Sequence, residues 1–225
     1  TTSSAPANYA TLNPININDM VGTTSVTLSD GNLTMANARN TYFGSVLSTL
    51  SMTSGKYYCE GTVDSNDAST LTIGALKIDP LESRWNTSDE QAAYFGNGYA
   101  YRSNNGYKES ASSSSSYGNS YGNGDTIGIA LDLDAKTISF YKNGVNQGIA
   151  YSGIPAGRYA FIFSCSETNN KWKANFGQKP FKYAPPQGFL PLNSATARPN
   201  TVVPRPDQYV GIVTYKGSSS KNQII

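Results

Sequence analysis

From Ser25 to Gly177 the chain is written in short runs in which apolar and polar side chains alternate, each closed by Gly, Asn, Asp or Pro. A period of two marks a strand with one buried face. The pattern predicts strands near "SVTLSD", "NLTMAN", "GKYYCEGTV", "LTIGAL", "AAYFG", "YAYRS", "DTIGIALDL", "TISFYKN", "VNQGIAY", "YAFIFSCS" and "WKANFG". Helical spacing is not sustained over three turns anywhere. So many short strands predict an all-β fold, an antiparallel sandwich or barrel.

The clearest part is "DTIGIALDLDAKTISFYKNGVNQGIAY". Ile127, Ile129, Leu131 and Leu133 share one face, and Gly128, Ala130 and Asp132 the other. A face with only small side chains predicts a closely approaching neighbour. In "DLDAKT", Asp132 and Asp134 cap backbone amides of a turn and Lys136 is solvated. Asn143-Gly144 is the dipeptide of a two-residue type I′ hairpin, whose central residues both need positive φ. The two turns frame the middle strand of a three-stranded meander. Trp172 shares parity with Ala174 and Phe176 and is expected in the core.

This meander, "NGDTIGIALDLDAKTISFYKNGVNQGIAYSGIP", resembles the centre of SPRY domains. "SGKYYCEGTV" is similar to that family's early "GKYYFEV" strand, with Cys59 at a usually aromatic place. "KANFGQKPFKYAPPQGFLPL" is similar to its closing signature. The resemblance runs from about Ser54 to Leu192. It implies a bent, concanavalin-like β-sandwich that binds without catalysis, its partner held on loops at one end. Residues 1–50 are then expected to complete the sandwich edges, and 51–193 to form the SPRY-like unit. Residues 194–208, "SATARPNTVVPRPDQ", read as a Pro-rich linker, and 209–225 as a strand or hairpin extension or the start of a second β-domain. That layout is similar to SPRY-containing virion proteins of tailed bacteriophages.

Composition narrows the chemistry. The 225 residues suffice for one full core, and a net charge of +2 gives no electrostatic case for nucleic acid or an anionic membrane. No run of about 18 apolar residues spans a bilayer. The start, "TTSSAPANYATLNP", lacks the pattern of a signal peptide, and a first residue other than Met is expected of a processed or cut chain. The two cysteines, Cys59 and Cys165, lie in apolar strand-like runs and read as buried thiols; a bridge requires their strands to lie back to back. There is no histidine, which removes the commonest general base and the triads built on it. Metal and cofactor are not expected. Asp132 and Asp134 lack the further carboxylates of a calcium loop. Asp79, Glu82, Asp89 and Glu90 do not follow the E-x-D-x-x-E spacing of sandwich glycosidases and read as solvated loop acids.

Two polar connections remain, "IDPLESRWNTSDEQAAYFG" and "NNGYKESASSSSSYGNSYGNG". Around them stand Arg84, Trp85, Tyr99, Tyr101, Arg102, Tyr107, Tyr117 and Tyr121, rigid aromatic and guanidinium groups among Ser, Gly and Asn. Adaptable binding surfaces have that chemistry, and these residues are the candidate contacts. Packing under the loops is the competing account of each. Taken together, the sequence leads us to expect a non-catalytic virion component (tail fibre, tail appendage or capsid-surface protein) binding neighbouring subunits or a host-surface protein or glycan, with a homo-oligomer open. The alternatives are an intracellular SPRY adaptor acting in the cytoplasm and a carbohydrate-binding or carbohydrate-cleaving sandwich.

Overall fold

The computed structural model describes residues 8–18, 26–37, 43–66, 70–79, 97–166 and 168–197. Among them are fifteen strands and no helix. In chain order they are β1 (Leu12–Asn18), β2 (Val26–Ser29), β3 (Thr34–Asn37), β4 (Phe43–Ser48), β5 (Lys56–Ser65), β6 (Leu71–Lys77), β7 (Gly98–Arg102), β8 (Tyr107–Ser110), β9 (Ser113–Ser116), β10 (Thr126–Asp132), β11 (Thr137–Lys142), β12 (Val145–Ser152), β13 (Tyr159–Ser166), β14 (Lys171–Asn175) and β15 (Leu190–Pro191). One sheet has seven strands in the order β1-β4-β13-β6-β7-β8-β9. The other has eight, in the order β12-β11-β10-β5-β14-β3-β2, with the two-residue β15 beside β5. Apart from the parallel β15 pairing, the ladders are antiparallel. The alternation in the sequence thus builds the sandwich it predicts.

The inner faces make one core. Tyr57, Cys59, Val63, Ile127, Ile129, Leu131, Ile138 and Phe140 come from the eight-stranded sheet, and Val46, Leu71, Ile73, Tyr101, Phe161, Phe163 and Cys165 from the other. Trp172 lies fully buried between them, its indole N–H donating to Ser164 O on the opposite sheet at 3.0 Å. Gly61 makes room for it: a Cβ there would stand 2.5 Å from Ile73 Cδ1 and 2.9 Å from Phe163 Cε1. Both cysteines are buried free thiols. On the outer face of the seven-stranded sheet Leu47, Leu76, Ala100, Ala160 and Ile162 form a second, smaller buried cluster.

The small-residue face of β10 has its close neighbour. Tyr58 of β5 lies over Gly128, its hydroxyl so near that a Cβ there would collide with it. Phe181 meets the Tyr58 ring edge-on at 5.0 Å. Beside them Glu60, only 2% exposed, accepts the Lys182 and Tyr183 N–H groups at 2.8 and 3.0 Å. The "PFKY" stretch of the closing signature is thereby pinned on the outside of the sheet. Asp132 accepts the Asp134 and Ala135 N–H groups, and Asp134 that of Gly55, so this D-x-D pair caps turns.

One expectation needs correction. "NNGYKESASSSSSYGNSYGNG" is not an open loop: β8 and β9 form a hairpin within it and extend the seven-stranded sheet. Its turn is Ala111-Ser112, both at positive φ (49° and 59°). A serine run carries no alternation and little strand preference, so pairing with β7, remote from the run, decides its conformation. The expected strand "AAYFG", the acids Glu82, Asp89 and Glu90, and the chain beyond 197 lie outside the described residues.

Candidate functional site

Three connections converge at one end of the sandwich: 103–106 between β7 and β8, 117–125 between β9 and β10, and the Asn143-Gly144 turn. Asp125 organises them. Its carboxylate accepts from Gly122 N–H at 3.0 Å and from the Asn143 amide at 2.6 Å, and pairs with Lys142 at 3.2 Å. Partial burial alone would raise that carboxyl, but these donors together hold it below its usual range. Asn143 Oδ1 accepts Thr126 N–H, and Asn143 and Gly144 take the positive φ of the type I′ turn (49° and 80°). Lys142 also donates to Ser120 O at 2.7 Å, Gln147 Oε1 accepts Asn119 N–H at 3.0 Å, and Gly118 N–H reaches Gly106 O at 2.8 Å. The three connections form one hydrogen-bonded surface.

The candidate residues divide on it. Tyr101, Arg102, Tyr107, Tyr117 and Tyr121 are brought to this end, while Tyr99 stands toward the other, its ring 5.2 Å from that of Tyr151. Arg84 and Trp85 lie outside the described residues. Tyr101 and Tyr121 are core residues, and burial pushes both hydroxyls up from their ordinary value. Tyr121 donates to Tyr101 O at 2.7 Å, and Tyr101 donates to Asn119 O. As contacts for a partner these two are corrected: their enclosed rings staple the loops to the core. Arg102 pairs with the buried Glu109 at 2.8 Å and reaches Thr70 Oγ1. Tyr107 alone of the tyrosines at this end is exposed, at 36%.

Tyr117 fills a gap in a ladder. The β11–β12 register shifts around Ser139, where β12 carries extra residues. The Tyr117 hydroxyl enters there, accepting Phe140 N–H at 3.1 Å and donating to Gly148 O at 2.6 Å. Burial raises its pKa to about 12, against the lowering effect of the Phe140 bond.

What faces solvent differs from the tyrosine set. Val145 is 64% exposed just after the turn. Asn146 follows it and is exposed too, as are Asn105, Asn119 and Ser120 on the other two connections and Tyr107 on the adjoining hairpin. Val145, Asn105, Asn119, Ser120 and Asn146 all stand outside the candidates that residue chemistry picks from the sequence. An apolar residue directly after an Asn-Gly turn, at a place where inward parity breaks, is the signal that points to the first of them. Such a surface offers apolar anchors and neutral donors and acceptors, which suits a polypeptide. Among the described residues no group of His, Cys, Asp and Glu is placed to hold a metal.

Comparison with known proteins bears on the fold that carries this end. The SPRY domain family profile matches residues 55–179. The chain is 33% identical over 154 residues to the ATP-dependent RNA helicase DDX1 of Xenopus laevis, covering 66% of this chain and 19% of the helicase. It is 43% identical over 86 residues to the E3 ubiquitin-protein ligase RKP of Arabidopsis thaliana, covering 36% of this chain and 7% of the ligase. The chain thus spans a fifth or less of these relatives. The crystal structure of the SPRY domain of human HERC1 superposes with a TM-score of 0.60 at 21% identity, over 75% of this chain and 99% of that one. A second human SPRY domain gives 0.58 at 16% identity, over 69% and 98%. These relatives are eukaryotic, and the expected likeness to phage virion proteins has no support from them.

Proposed function

The chain belongs to the SPRY domain family, and from that premise we propose that it is a protein-interaction module of the adaptor kind, gripping a polypeptide with the loop end built around Asp125. The observation that carries this is the exposed Val145 just after the Asn143-Gly144 turn, at an end of the sandwich where Asn105, Asn119 and Ser120 are exposed on the neighbouring connections and tyrosine hydroxyls fix the scaffold from behind. An apolar anchor in a rim of neutral hydrogen-bonding groups, held rigid before binding, lowers the entropy lost on association. The helicase and ligase relatives, both much longer than this chain, support a module that recruits rather than reacts. The eukaryotic relatives favour the intracellular alternative over a virion.

The test selects linear peptides from a random display library on the full chain. Val145→Asp is expected to weaken the selected peptides about tenfold or more. Ile15→Asp, at a residue 94% exposed on β1, is expected to leave them unchanged. Peptides indifferent to Val145→Asp, or binding confined to a glycan array, would overturn the reading.

A further inference from the structure

The two sheets have four edges, and three of them are obstructed. β1 carries Pro14, which has no N–H to offer, and a bulge between Leu12 and Ile17 breaks its pairing with β4. β2 lies beside β1, tied to it where Leu12 N–H donates to Asn32 O at the β2–β3 turn. On β12 the Gly148 and Ala150 carbonyls are already taken, by the Tyr117 hydroxyl and the Lys108 ammonium.

Among the described residues β9 has no such device. Its residues, Ser113–Ser116, are uncharged, small and exposed on both faces. The two-residue turn at Ala111-Ser112 makes Ser110–Ser113 the hydrogen-bonded pair nearest it, and Lys108–Ser115 the next. The N–H and C=O groups of Ser114 and Ser116 therefore point away from β8 into the open edge. Tyr107 stands opposite Ser116 on the same face, and a serine is too small to screen its ring.

We propose that β9 is a docking edge, to which an extended segment of the protein partner adds as a further strand of the seven-stranded sheet, with an apolar side chain laid over Ser116 onto Tyr107. This rests on the reading of the chain as a polypeptide-binding module and names how the polypeptide is held. The Gly118 N–H to Gly106 O bond sets the edge beside the loop end, so one segment meets both. So short an edge does not by itself offset the entropy of association; the loop end supplies the hold, and the edge fixes direction and register.

Ser114→Pro tests this, because the Ser114 N–H is not used by β8 and a proline there spares the hairpin while blocking strand addition. Peptides selected on the wild-type chain are expected to bind this variant about tenfold or more weaker. Their binding is also expected to slow amide exchange at Ser114 and Ser116 in the wild type. Undiminished binding to Ser114→Pro, or unchanged exchange at both serines, overturns the proposal. A second arm leaves the protein untouched: alternate peptide residues are N-methylated in two registers, and one register must weaken binding about tenfold or more. Retention in both overturns strand addition even if the proline variant misfolds. Peptides lost with Val145→Asp but kept with Ser114→Pro leave the loop-end reading standing and sink this one, and a library that yields no binder overturns both.

Discussion

Single hydroxyls hold the connections of this sandwich in place. Five buried or half-buried tyrosines, Tyr57, Tyr101, Tyr117, Tyr121 and Tyr159, donate to the backbone carbonyls of Thr196, Asn119, Gly148, Tyr101 and Pro155. A tyrosine-rich sequence among Ser and Gly suggests a contact surface, yet here most rings face inward and only the hydroxyls reach the loops. Tyr117 is the sharpest case. Replacing it by Phe removes one atom and deprives both Phe140 N–H and Gly148 C=O of a partner. Tyr117→Phe is expected to cost about 1 kcal/mol, chiefly for the part-buried Phe140 N–H left without its acceptor, measured by urea unfolding. A full ladder re-formed at the bulge, seen as unchanged stability, would contradict that assignment. The space kept at Gly128 is legible in the residue pattern alone, because a run of small side chains on one face calls for a neighbour at van der Waals distance. Tyr58 answers, though nothing in the spacing names it.

At the scale of elements, legibility follows how local the determinants are. The β10–β12 meander is readable because its turn dipeptide and its alternation both lie within the segment. β8 and β9 are not, since four serines state no face and the hairpin is held by β7 across the sheet. β4 lies unmarked in the amino-terminal region, although it sits inside the sheet between β1 and β13. The closing segment is recognisable as a signature, but the carboxylate that accepts its Lys182 and Tyr183 amides is distant in the chain. Glu60→Ala should loosen the segment, because the Lys182 and Tyr183 amides then lose their shared acceptor. A loss of about 1–3 kcal/mol is expected, with amide exchange accelerating at those two residues while β10 stays protected. Uniform acceleration across the sheet would mean the segment is not a separate unit.

For the molecule as a whole, the titration behaviour is unusually bare. With no histidine in the chain, no side chain has an ordinary pKa between the carboxylates and the thiols. Burial raises Tyr57, Tyr58, Tyr99, Tyr101, Tyr117, Tyr121, Tyr141, Tyr151 and Tyr159 above their ordinary 10.0, and Cys59 and Cys165 above 9.0. The fold keeps these groups neutral, whereas the unfolded chain releases their protons, so stability falls as pH rises through the unfolded values. Tm should be nearly flat from about pH 6 to 8.5 and drop steeply above about 9.5, followed by calorimetry. A marked step near neutrality would refute this. The two thiols also have a practical consequence. They are the only ones in the chain, and both are sealed between the sheets. A maleimide dye added to the intact protein should find nothing to label. Its uptake therefore clocks each opening of the sandwich, and a cysteine engineered at Ile15 would be a single reporter on an otherwise silent background.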